Sequence, residues 1–129
     1  MKTDIDIKDD IYNWINGSIL QTTVTGKLRK TKRPLNSTSE DIVISVLANR
    51  NSQLQEGFVN INIYVQDVYR NGQYEENSAR CRELSRIAFI LLEKGYGESH
   101  RFELEEQRLY EVGNEHVINN RILYQQSNI

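Results

Sequence analysis

Between Gly57 and Asp67 the chain reads GFVNINIYVQD, with Val59, Ile61, Ile63 and Val65 at every second position. Strand side chains point alternately to opposite faces, so the run fixes one buried face; a slip of one residue would bury asparagines instead. The other face carries Phe58, Asn60, Asn62 and Tyr64. Asparagine is a poor strand former, and a water-facing strand more often shows Thr, Lys or Glu. Two asparagines between two aromatics predict a surface that meets a partner or a second helix rather than water alone.

The neighbouring segments give this strand its setting. Ile42 to Ala48 is apolar on both faces, as in a central strand, and the loop NRNSQLQEG turns it back as an antiparallel partner. Upstream, Thr3 and Asp6 form a capping pair ahead of Ile7, Ile11, Trp14 and Ile15 at helical spacing, with Gly17 as the stop. Gln21 to Lys30 reads as a short irregular strand or hairpin arm, and Pro34 opens a polar loop. Downstream, Asn71-Gly72 marks a turn, and Asn77 or Ser78 caps a long helix with a buried stripe of Cys81, Leu84, Ile87, Ala88 and Leu91, ended by Gly95. Two strands close the chain, His100 to Tyr110 and His116 to Tyr124, joined at Gly113-Asn114. The expected fold class is α+β: an antiparallel sheet of about four strands plus a short hairpin, with two helices packed on one face. Residues 1–129 form a single domain, with 1–3 and 125–129 as flexible tails.

At 129 residues the chain can bury a core without staples, and its single cysteine cannot form an internal bridge. That usage fits a reducing cytosol. No apolar run approaches the roughly 20 residues of a membrane span, and MKTDIDIKDD is too acidic for a signal peptide, so the reading is a soluble chain with no membrane partner. The net charge of −2 gives no general attraction to nucleic acid. Five of the seven residues from Lys27 to Arg33 are basic (Lys27, Arg29, Lys30, Lys32, Arg33), leaving 11 basic against 18 acidic residues elsewhere, a balance of −7. A basic loop thus sits on an acidic body. Hydrophobic content of 38% with seven tyrosines leans toward an assembly subunit.

Catalytic chemistry is not signalled, and no cofactor is expected. His100 and His116 lack metal-ligand spacing, and no nucleophile elbow, phosphate loop or dinucleotide fingerprint is present. Glu103, Glu105, Glu106 and Glu111 read as a solvated or subunit-facing charged surface, and Cys81 as a small buried hydrophobe. Arg80, Arg82 and Arg86 project from one helix, either toward local glutamates such as Glu83 or toward carboxylates of another subunit. KLRKTKR contains no aromatic to stack on a base, so it is a solvated loop or a contact for a polyanion or an acidic partner.

Three phrases together, EDIVISVLANRNSQLQEGFVNINIYVQD, NGQYEENSARCRELSRIAFILLEKGYG and the closing paired strands, resemble the small tail terminator-like head-to-tail connector (tail completion) proteins of tailed bacteriophages, over roughly Ile11 to Tyr124. The resemblance implies a non-enzymatic α+β subunit of a sixfold or twelvefold ring in the virion neck or tail, assembled in the host cytoplasm. Its implied partners are copies of itself, portal-side, neck and tail proteins, and genomic DNA that passes through the lumen without sequence recognition. Subunits of this kind associate through sheet edges and strand faces, which here means Phe58, Asn60, Asn62 and Tyr64. The basic loop departs from a purely acidic design. The alternative is a host adaptor that binds nucleic acid or an acidic protein through that loop.

Overall fold

In the computed structural model, which describes residues 1–127, the alternating run lies within a strand of thirteen residues whose burial also alternates strictly. The helices are α1 (Asp4–Ile15), α2 (Ile19–Thr23) and α3 (Ser78–Leu92). The strands are β1 (Leu28–Arg29), β2 (Ile42–Arg50), β3 (Leu54–Gln66), β4 (Val68–Arg70), β5 (Gln73–Glu75), β6 (Lys94–Tyr96), β7 (His100–Val112) and β8 (Glu115–Ser127). Six of them form one curled sheet in the order β1-β2-β3-β8-β7-β6, while β4 and β5 form a separate hairpin.

This corrects the expected four-stranded antiparallel sheet with two helices. The sheet is mixed because β1 pairs in parallel with β2, Leu28 opposite Ile42. Gln21 to Lys30, expected as a short irregular strand or hairpin arm, starts inside a third helix and keeps only the two-residue strand β1. Ser18 caps α2, and the hydroxyls of Thr22 and Thr23 donate back to the carbonyls of Ser18 and Ile19. Local side-chain hydrogen bonds and burial of Leu20 thus override the β preference of threonine. Gly95 does not end α3, which stops at Leu92; it lies in β6, opposite Phe102 of β7. The tails expected at both ends are also held. Lys2 donates its backbone N–H to Gln55 Oε1 at 2.9 Å, Thr3 closes the capping box of α1, and Gln125 to Ser127 continue β8 opposite β3. Residues 128–129 lie outside the described residues.

All three helices cover one face of the sheet. Ile7, Ile11 and Ile15 of α1, Leu20 of α2, and Cys81, Leu84, Ala88 and Leu92 of α3 form one cluster with Val59, Ile61 and Ile63 of β3 and Ile118, Ile122 and Tyr124 of β8. Position β8 is central, paired along its length with both β3 and β7. Edge coverage is partial at both ends of the sheet: β6 pairs only with Arg101 to Glu103 of β7, and β1 only with Ile42 and Val43 of β2. The Asn71-Gly72 turn between β4 and β5 takes positive φ at both residues, 54° and 79°, the conformation that a two-residue hairpin turn of this twist demands.

Candidate interaction surfaces

The face of the sheet opposite the helices is where Phe58, Asn60, Asn62 and Tyr64 stand, each half-buried. Their cover comes from side chains of the same face. Asn119 Nδ2 donates to Asn62 Oδ1 at 2.7 Å and to Asn60 Oδ1 at 3.3 Å. Arg121 lies over the Phe58 ring at 4.5 Å, and Arg33 over the Tyr64 ring at 4.3 Å. Cation–π stacking and amide pairing let this face remain in water without a hydrophobic patch. Its residues from β8, Asn119 and Arg121, were not singled out from the sequence, although HVINNRILY carries the same alternation. The Nε of Arg121 is buried without a hydrogen-bond partner among the described residues, at the centre of the face.

The structure divides the basic loop by role. Arg33 is internal: Nε donates to Asp41 Oδ2 at 2.8 Å, Nη1 to Glu115 Oε1 at 2.6 Å and Nη2 to the Ser39 carbonyl at 2.7 Å. Burial opposes the charge on Asp41, but hydrogen bonds from Ser37, the Lys27 N–H and Arg33 outweigh it and hold the carboxyl below its ordinary value. Lys30 pairs with Asp9 at 2.8 Å and lies over Tyr12. Lys27, Arg29 and Lys32 remain exposed, at the β1 end of the sheet. At the opposite end, Glu103, Glu105, Glu106 and Glu111 are exposed on β7; Glu106 pairs with Arg108 at 3.2 Å.

The three arginines of α3 also separate. Arg80 clasps Glu40 through Nε and Nη2 at 2.7 and 2.6 Å and donates to the Thr23 carbonyl, tying α3 to the segment ahead of β2. It is therefore not available as an intersubunit contact. Arg82 and Arg86 are exposed, and with Ser85, Phe89, Ile90 and Gln107 they line a groove of about 380 Å³ between α3 and β7.

The titratable groups are held by structure. His116 Nδ1 lies 2.7 Å from Asp67 Oδ1, and His100 stacks on Tyr124, whose hydroxyl donates to Asp10 Oδ2 at 2.6 Å. Burial raises the Tyr124 phenol, with Asp10 adding to it, and raises the Cys81 thiol to about 11, so neither ionises near neutrality. Burial also holds the His100 imidazole below its ordinary value, against the pull of Asp10. Unfolded His100 binds a proton near pH 6.5 and folded His100 only lower, so its contribution is full above that value and is lost as pH falls. Denaturant titrations at pH 7.5 and 5.5 are expected to show a smaller acid loss in His100→Phe than in the parent chain; equal losses would remove His100 from the account.

Among the described residues no three of His, Cys, Asp and Glu converge as metal ligands would, and no helix is long and apolar enough to cross a membrane. A scan against protein-family models and a search of curated proteins found no match.

Proposed function

We propose that this chain is a structural subunit of a bacteriophage neck or tail, building a ring at the head-tail junction through which genomic DNA passes. The observation that carries the reading is the opposite charge of the two lateral ends of one sheet. Lys27, Arg29 and Lys32 stand exposed beside β1, and four glutamates stand exposed on β7. Different, complementary patches on one molecule make a heterologous contact, and such contacts close into rings when the rotation allows. The helix-free face adds a broad surface of asparagines and stacked aromatics, of the kind that is stable in water before a neighbour covers it.

The test is electron microscopy of virions together with that of the concentrated purified protein. Ring-shaped density at the head-tail junction is the expected result. Density confined to the distal fibres, or absence from the particle, would refute the placement. Self-association of the purified protein is expected to weaken roughly tenfold when Arg29 and Lys32 are both reversed to Glu, since the end contact then sets like charges together.

A further inference from the structure

Arg82 and Arg86 are one helical turn apart and have no ion-pair partner among the described residues, whereas Arg80 and Arg33 are each held by two carboxylates. Immediately beyond them Phe89 and Ile90 are 48% and 76% exposed. A helix that already buries Cys81, Leu84, Ala88 and Leu92 has no folding need for these two on its outer side. The floor of the groove beside them is fixed, because Gln107 Nε2 donates to the Ser85 carbonyl at 2.9 Å.

The chain carries the complement at its other end. α1 opens with Asp4, Ile5 and Asp6 exposed, Ile5 at 68%, and Met1 ahead of them at 74%. This start is seated at the β2 side: Asn49 Nδ2 donates to Asp4 Oδ1 at 2.9 Å, and Lys2 is bound to Gln55. The outer face of α3 is seated at the β7 side, through Gln107. Both belong to the helix layer, and β2 and β7 are the second strands from opposite ends of the sheet. Side-by-side copies therefore bring an acidic, apolar helix start toward a basic, apolar helix face, while the sheet layer brings basic beside acidic in the reverse sense.

We propose that the first turn of α1 of one copy docks on the Arg82, Arg86, Phe89 and Ile90 face of α3 of the next. This deepens the ring reading and rests on it. The contact has carboxylates over guanidinium groups, with Ile5 and Met1 against Phe89 and Ile90, the arrangement of an apolar anchor with a charged rim.

The experiment is disulfide trapping in the full chain with Cys81→Ser, carrying Ile5→Cys and Ile90→Cys, at a concentration where sedimentation shows the parent chain to assemble. A ladder of cross-linked oligomers on non-reducing gels is expected. Arg82→Glu or Arg86→Glu, and separately Asp4→Lys, are expected to weaken association roughly tenfold, and Asp4→Lys combined with one of the two arginine reversals to restore it. Unchanged melting of each variant at low concentration separates lost docking from lost folding. Assembly without a ladder, or assembly indifferent to the reversals, overturns this contact and leaves the ring reading standing. A parent chain that stays monomeric up to millimolar concentration overturns both for the isolated subunit. Failure of the ladder together with protection of Ile90→Cys from a thiol reagent only when a second protein is added assigns the face to that protein and overturns the proposal.

Discussion

Replacing Arg33 with Ala will destabilise the fold by roughly 3–5 kcal/mol, because it strips the cation from a buried carboxylate rather than trimming a surface pair. Asp41 is 1% exposed, and Arg33 joins it to Glu115 of β8 while lying across the Tyr64 ring of β3. One side chain thereby fastens the basic segment, the start of β2 and the far end of the central pair β3 and β8. On a domain of this size the expected fall in melting temperature is roughly 10–20 °C. Lys32→Ala removes an exposed neighbour of Arg33 in the same basic run and should change stability by no more than about 0.5 kcal/mol. The acid response carries a second signature. The folded carboxyl of Asp41 titrates below its ordinary value, so its contribution is complete above the unfolded value near pH 3.8 and disappears as pH falls through the folded one. In Arg33→Ala that acid limb should be shallower. Equal stability of Arg33→Ala and Lys32→Ala would show that the clasp does not hold the fold.

Gly95→Ala is expected to cost roughly 3 kcal/mol, although it adds a single methyl group. A Cβ at this buried position would stand 2.1 Å from Phe102 Cζ, 2.4 Å from Phe102 Cε2 and 2.9 Å from Trp14 Cζ2. Neither ring is free to withdraw. Phe102 is 3% exposed, Trp14 meets it edge-on at 5.2 Å between centroids, and the Trp14 indole N–H donates to the Leu91 carbonyl at 2.9 Å. Clash with Phe102 also predicts non-additivity: Gly95→Ala with Phe102→Leu should lose clearly less than the sum of the two single changes. Strict additivity in denaturant unfolding would mean that the strain is relieved elsewhere.

The strands with strong local pattern were legible in the sequence. The inner face of β3, the capping box of Thr3 and Asp6, the Asn77 cap and both hairpin turns follow from residues within a few positions of one another. What the sequence hid depends on partners far away. β1 and β6 are two and three residues long, too short to show a period, and exist because β2 and β7 offer edges to pair with. Gly95 reads locally as a helix stop, and only Phe102 and Trp14 reveal why the position has no side chain. The interaction surface was legible in part. Alternation placed Phe58, Asn60, Asn62 and Tyr64 on one face, but the basic run gave no sign that Arg33 turns inward while Lys27, Arg29 and Lys32 stay out. Likewise nothing in the spacing of Arg80, Arg82 and Arg86 distinguishes the one that meets Glu40, since Glu40 lies forty positions upstream.

The central place of β8 bears on when the fold can come into being. Among the described residues it is the last strand in chain order, yet β3 and β7 meet only through it, β3 across partners such as Asn60 and Arg121. Until β8 is made, β3 waits with one edge bare, and the pairing that ends the wait closes a loop of many tens of residues, the slow kind of step in folding. Without β8 the strands can pair only as two separate pieces, β1-β2-β3 and β7-β6, so the two oppositely charged ends have no fixed position relative to one another. The fixed spacing of the two ends, on which the proposed ring contact depends, therefore comes into being only with β8.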